Sequence, residues 1–436
     1  MAGKKSRVQA RIKEIEPKAL FNHCHGHLLN LACADNIKQN EALRNALDTA
    51  YEITKLVKKS PQRDTKLEQL CRAAATDLER PNSKIRVLCP TRWTVKADAL
   101  LSIIENYETL MELWDWSLTT VTDTDMKARI RGVQAHMQKF EFFFGLSLAE
   151  LLLRNADNLS RTLQSKDLSA AESKSIEHKT VLTLQGMRSD QCFDLFWEKV
   201  VMKAEQRSVE TPLLPRRRKV PSRFETGQSP AEFHSTPKDY YRHKYFEAMD
   251  HIIQAITDRF DQEDFAVYLD TEQLLLKRVR GEDYQREVKL VSEFYRGDIH
   301  EANLQCQLRQ FAIIFECDGK KEEAVLSDVL LYMREMTSRE RLLLSEVVKV
   351  LKLVLVMPAT NSTSERSFNT LRRIKTYIRS TMRQDRLNDL MILHVHKEKT
   401  DEINLQSVVR DFCFRENRQN IFWTIQINFA KYIMYQ

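Results

Sequence analysis

Glycine and proline are scarce in this chain, 9 and 10 among 436 residues. Sheets and barrels need tight turns at short intervals, and such turns lean on these two residues. The shortage argues against an all-β architecture and for a mainly α fold. It also bears on chemistry: there is no G-x-x-x-x-G-K-[ST], no G-x-G-x-x-G and no G-x-S-x-G, so phosphate cradles and nucleophile elbows are not expected. Long apolar runs are missing as well. The nearest, "VVKVLKLVLVM" (Val347–Met357), is short and carries two lysines, too little for a membrane span. The opening "MAGKKSRVQARIKEIEP" is charged and lacks the apolar stretch of a secretory signal.

Paired cysteines are absent too. Cys24, Cys33, Cys71, Cys89, Cys192, Cys306, Cys317 and Cys413 are scattered, with no C-x-x-C. A chain of this length does not need disulfides for its core, so they read as reduced thiols in an intracellular protein. Neither sign of charge dominates: Lys and Arg number 68 against 61 Asp and Glu, a net +7. That permits a nucleic-acid partner without requiring one.

What the chain does have is helical periodicity. Apolar residues recur every three or four positions over 40–58 (Leu43, Leu47, Ala50, Ile53, Val57) and over 100–114 (Leu100, Ile103, Ile104, Tyr107, Leu110, Met111, Trp114). They recur again over 246–260 (Phe246, Met249, Ile253, Ile256, Phe260) and over 338–356 (Leu344, Val347, Val348, Leu351, Val354, Leu355). Each stripe predicts a helix with one buried face. A helix from His27 is expected to bury Leu28, Leu31 and Ala32, and a later one to carry Leu387, Leu390, Met391 and His394. Two runs read as extended, Ala19–His25 and Ile85–Leu88, the second because it precedes Pro90. Residues 60–85 read as a polar connection containing Pro61 and Pro81. Segment 208–238 holds five prolines and reads as an exposed linker. Its basic run, Arg216, Arg217, Arg218 and Lys219, suits nuclear import or phosphate contact, although a solvated charge run is the commoner case.

Three places could carry chemistry. "FNHCHGHLLNLACAD" (Phe21–Asp35) crowds histidines and cysteines together. A structural zinc site needs four ligands from two paired clusters, and no second pair follows at finger spacing, so no metal is expected. The plainer account packs Cys24 as a small hydrophobe and hydrogen-bonds the histidines. In "CPTRW" (Cys89–Trp93), Trp93 could stack on an unpaired base while Arg92 clamps a phosphate, or Trp93 could simply pack on its neighbouring helix. Glu365, beside Arg366, taken alone suits a salt-bridged helix start better than a metal ligand.

Taken together these stretches resemble the hAT superfamily of cut-and-paste DNA transposases. "HCHGHLLNL" is similar to its C-x-x-H stretch and "CPTRW" to its Arg-Trp pair. "MPATNSTSERSFNTLRRIKTYIRSTMRQDRLNDLMILHVH" resembles its C-terminal dimerisation region. Within the superfamily the likeness points to the group of the MYM-type zinc finger protein 1. The resemblance implies a ribonuclease-H-like α/β core interrupted by a large all-helical insertion. It implies a core remnant at 1–39, an insertion at 40–337, a dimerisation region at 338–400 and a tail at 401–436.

By the same resemblance Glu365 is the glutamate of an Asp-Asp-Glu triad, Cys24 and His27 flank the active site, and Arg92 and Trp93 handle a flipped base. Phe368, Leu371, Leu387, Leu390 and Met391 serve dimerisation. Both triad aspartates lie ahead of the C-x-x-H stretch in the family, and neither is present here. One glutamate cannot place two metal ions about 4 Å apart. The expectation is a domesticated or truncated, catalytically inactive nuclear protein without cofactor or small-molecule substrate. Its partners are a second copy or a related hAT-derived protein, and DNA through basic surfaces. One rival is an active metal-dependent transposase or nuclease, which would need further carboxylates such as Asp35 and Asp98. The other is a helical scaffold with no DNA role. If Ala19–His25 were the lone strand left from a sheet, its unpaired backbone would make residues 1–35 the least stable part.

Overall fold

The computed structural model describes residues 8–74, 85, 86, 88, 96–165, 168–215, 234–316, 324–357, 362–376 and 381–415, without the side chains of 263, 362–366 and 413–415. These residues form a succession of helices. The first are α1 (Val8–Ile15), α2 (His25–Gln39), α3 (Glu41–Lys58), α4 (Pro61–Ala74), α5 (Lys96–Glu105), α6 (Tyr107–Thr120) and α7 (Thr124–Gln138). Next come α8 (Phe140–Leu163), α9 (Ala170–Met187), α10 (Asp190–Gln206), α11 (Pro237–Phe260), α12 (Glu263–Arg280), α13 (Gln285–Phe294) and α14 (Glu301–Glu316). The last are α15 (Leu326–Glu335), α16 (Ser338–Leu343), α17 (Ser345–Val356), α18 (Ser362–Ile374), α19 (Gln384–Val395), α20 (Lys397–Asp401) and α21 (Leu405–Arg415). Among the described residues there is no strand, only an isolated bridge between Arg296 and Ile299, and no helix long and apolar enough to cross a membrane. The mainly α expectation agrees with this. A ribonuclease-H-like sheet is not seen among the described residues.

The run Ala19–His25 shows why. Extended backbone must place its N–H groups somewhere, and here side chains take them. Phe21 N–H donates to Asp264 Oδ2 at 2.8 Å and His23 N–H to Gln262 Oε1 at 2.8 Å. Asp264 also holds the Lys13 ammonium at 2.6 Å. The segment is therefore strapped to the start of α12 without a ladder, and α2 begins at His25, two residues earlier than expected. Ile85, Arg86 and Leu88 form no ladder either.

Two units separate along the chain, residues 1–360 and 361–436. In the first, one core gathers α2 to α11, and another gathers α12, α13, α14, α15 and α17. The stripes at Leu43, Leu47, Ala50, Ile53 and Val57, and at Met249, Ile256 and Phe260, are buried as read. α2 buries Leu28, Leu29, Ala32, Cys33 and Asn36, while Leu31 faces outward. It packs against α3, α8 and α11, so α2 belongs to the core.

Several expectations shift by local chemistry. Pro61 opens α4, because proline suits a first helical position whose N–H needs no partner. The stripe at 100–114 is split at Asn106, whose side chain donates to Ser102 O at 2.7 Å, yet both halves point inward. The helix at 338–356 is split at the buried Leu344. The Glu346 N–H at the start of α17 donates to Gln307 Oε1 at 2.6 Å, and Leu355 turns outward. α11 begins inside the expected linker, where the Asp239 N–H donates to the Thr236 hydroxyl at 3.1 Å.

α8 crosses α3 closely at Gly145. A Cβ there would lie 2.6 Å from the Ala42 carbonyl oxygen and 3.0 Å from the Ala46 Cβ. Gly145→Ala must push two helices apart and should cost about 1–3 kcal/mol. At Gly132, exposed within α7, an added Cβ would meet nothing within 4 Å; Gly132→Ala should gain about 0.5–1 kcal/mol. Chemical denaturation of both variants checks the pair, and equal effects would refute the close approach.

Candidate interaction surface

The histidine-rich stretch resolves into unequal parts. Cys24 is the half-buried N-cap residue of α2 and His27 faces outward. The buried member is His25, which the resemblance does not single out. Its Nδ1 lies 2.5 Å from Ser173 Oγ. Its ring packs against Phe260 and Phe265, with centroids 5.0 and 4.5 Å away. Burial, together with Lys174 nearby, lowers its pKa from 6.5 to about 4. A pattern of alternate histidines cannot tell which one turns inward; the elements packed against α2 decide it. Among the described residues no group of three His, Cys, Asp or Glu side chains is arranged to hold a metal.

Arg92 and Trp93 lie outside the described residues, as do Arg216, Arg217, Arg218 and Lys219, and the side chain of Glu365 does too. The ground just after the Arg-Trp pair is charged. Asp98 accepts from Arg154 at 2.5 Å and from Arg86 at 2.8 Å, and the Arg154 hydrogen bond is the largest cause of its lowered pKa. Asp157 on α8 is buried and accepts from the Ala97 N–H at 3.4 Å. Burial pushes its pKa up to about 6. Cys33 close by is pushed up to about 12, first by burial and then by Asp157, so it stays a thiol. Asp35 is ion-paired with Arg259. Asp35 and Asp98, the carboxylates the nuclease rival would draw on, are thus each paired with arginine.

The residues assigned to dimerisation in 361–436 also divide. Here α18 packs along α19. Leu387 is buried, Leu371, Leu390 and Met391 are half-buried, and Phe368 is 69% exposed. The hairpin's own seam therefore consumes part of the set. Ile392, Leu393 and Val395 on α19 are exposed and were not in it. The signal was available: "LMIL" at 390–393 is apolar around the whole helix, and one packed neighbour covers only one side. In the other unit α15, α16 and α17 leave Leu331, Leu342, Leu343, Leu355 and Val356 exposed. Such apolar surface suits association, not bond-making chemistry.

Comparison with known proteins bears on this surface. Residues 322–398 match the model of the hAT family C-terminal dimerisation region. The chain is 21% identical over 409 residues to the 52 kDa repressor of the inhibitor of the protein kinase of Mus musculus, covering 91% of this chain and 52% of the relative. It is 20% identical over 411 residues to the Homo sapiens protein of that name, with the same coverage. The chain spans about half the length of the curated relatives it matches. The dimerisation region supports a place in the hAT family. The MYM-type affinity is corrected, since these relatives are repressors of another name.

Proposed function

We propose that the chain is a domesticated, non-catalytic hAT-derived protein. It works by pairing with a second copy or a related hAT-derived chain. The observation that carries this is the match of 322–398 to a dimerisation region, together with the apolar side chains that α19 leaves outside its own hairpin. Exposed apolar surface of this kind gains free energy when a partner covers it. Because the relatives are named as repressors, the role proposed is repression in the nucleus, with DNA contacted through basic surfaces. The non-catalytic part rests on the resemblance alone and is tested by the nicking assay below.

Light scattering of the purified chain should return twice the chain mass at micromolar concentration; a monomer there would overturn the pairing. A DNA titration should show affinity falling steeply with salt as phosphate contacts release counterions. A flat salt response would favour a scaffold without a DNA role. Incubation of supercoiled DNA with magnesium or manganese should give no nicking; metal-dependent nicks that Glu365→Gln abolishes would restore the nuclease rival. Neutralising Arg216, Arg217, Arg218 and Lys219 should lower nuclear accumulation of a tagged chain, and an unchanged distribution would remove the import role.

A further inference from the structure

The turn end of the α18–α19 hairpin is basic. Arg372 and Arg373 occupy the last turn of α18, and Lys375 follows it. Arg383 is the N-cap residue of α19, and Arg386 lies in its first turn. Thr370, four residues before the end of α18, and Leu387, three after the start of α19, are both buried, which sets the two helix ends together at the turn. All five cations are exposed, and among the described residues none of them is ion-paired. In the other unit Arg188 and Arg242 are each held by a carboxylate, Asp250 and Asp190. The acids nearest the five cations along the chain are Asp385 and Asp389, so this short described stretch holds a net +3, against +7 for the whole chain. Cations suit the end of α18, where the helix dipole is negative. At the start of α19 the dipole is positive, and Arg383 and Arg386 oppose it. Arg383 supplies no side-chain cap either, so the first N–H groups of α19 add to the positive field. Helix stability does not account for these two residues, whereas an anion at the tip would reverse the repulsion.

We propose that this tip grips the phosphate backbone of duplex DNA. Four of the five cations are arginines, whose planar fork pairs bidentately with phosphate oxygens. Thr376, Thr381 and Asn388 beside them are exposed and add hydroxyl and amide donors of the kind that contact phosphate and sugar. A lipid surface would want apolar side chains inserting beside the cations, but the exposed apolar residues of α19 begin at Ile392, about 9 Å further along the helix from Arg386. The inference rests on the DNA reading above and gives it a surface. Pairing through Ile392 and Leu393 would leave the tip open, so the contact does not depend on pairing.

The test is a titration of the full chain into a labelled duplex of ~20 base pairs, read by fluorescence anisotropy at several salt concentrations. Arg372→Gln, Arg373→Gln, Arg383→Gln and Arg386→Gln together should raise Kd on the order of 10–100-fold at ~50 mM salt. They should also flatten the slope of log K against log salt by about 3. Arg372→Lys, Arg373→Lys, Arg383→Lys and Arg386→Lys together keep the charge and should stay much closer to the parent, with the salt slope unchanged. A control removes the same charge elsewhere, with Arg131→Gln, Lys289→Gln, Arg309→Gln and Arg334→Gln, all exposed in the other unit; its Kd should rise less than about threefold. Equal losses in control and tip variant would mean diffuse binding, which overturns the tip and leaves the DNA reading standing. A parent that binds no duplex would overturn both. A tip variant that keeps its DNA affinity but no longer binds vesicles of phosphatidylserine and phosphatidylcholine would assign the patch to a membrane. If the glutamine variant unfolds, hydrogen exchange of the parent decides: duplex DNA should slow exchange across 383–388 and leave 100–114 unchanged, and no protection at 383–388 overturns the proposal.

Discussion

Replacing Ile392 and Leu393 with aspartate is expected to convert the proposed dimer to a monomer, with Kd rising on the order of 10²–10³-fold. Both side chains are exposed on α19, at 59% and 45%, so the hairpin has little to lose from the change. A two-fold interface uses the same patch on both copies, so each substitution acts twice. Removing two apolar side chains per copy and burying carboxylates in their place reaches that magnitude at about 1 kcal/mol each. Leu387→Ala is the contrast. Leu387 is buried, and its truncation should destabilise the unit itself by about 2–4 kcal/mol. Sedimentation and circular dichroism separate the outcomes: the aspartate variant should stay helical and sediment at half the mass. A dimer that survives both aspartates would place the interface elsewhere, among Leu331, Leu342 and Leu343 or outside the matched region altogether.

His25→Phe should make the protein markedly more tolerant of acid. The unfolded chain takes up this proton at 6.5 and the native chain at about 4, so acid favours unfolding. The stability that comes from keeping His25 neutral is complete above pH 6.5 and is lost as the pH falls to about 4. At about 1.4 kcal/mol per pKa unit this amounts to about 3 kcal/mol. Asp157 acts in the opposite sense. Its native pKa of about 6 against an ordinary 3.8 means that stability is gained as the pH falls from 6 towards 4. The parent's profile should therefore be shallow over that range. Phenylalanine would sit beside Phe260 and Phe265 and leave the Ser173 hydroxyl without its partner, at a cost of about 1 kcal/mol at neutral pH. It would also leave the Asp157 gain unopposed. Guanidinium unfolding from pH 7.5 to 4.5 should show the variant's stability rising relative to the parent's as the pH drops. Asp157→Asn should move the difference the other way. Parallel profiles for parent and His25→Phe would mean that His25 protonates natively in the ordinary range.

Much of the helical body was legible because amphipathic periodicity is a local signal. Leu43 to Val57 and Met249 to Phe260 repeat their apolar residues once per turn, and no other element can present such a stripe to a core. The scarcity of turn formers acted in the same direction. The region that matches the hAT dimerisation model was legible for a different reason: a short string of residue types at 357–396 resembles a known dimerisation region. Periodicity says nothing, however, about where a helix starts within an apolar stretch. His25 and His27 lie about 200° apart around a helix, as do Leu29 and Leu31; the packing of α2 on α3, α8 and α11 turns His25 and Leu29 inward and leaves His27 and Leu31 outside.

The sequence by itself determined that this chain is mainly helical, and it located both the apolar stripes and the dimerisation-like region. The tertiary structure alone decided that Ala19–Cys24 is strapped by Asp264 and Gln262 rather than paired in a sheet. It alone decided that Asp157 is buried beside Cys33, and that Leu387 closes a hairpin while Ile392 and Leu393 remain outside. Strand pairing, ion burial and the choice between seam and surface all depend on partners distant along the chain. A stripe can be read from its own residues, but what covers it is set by whichever element the fold brings alongside.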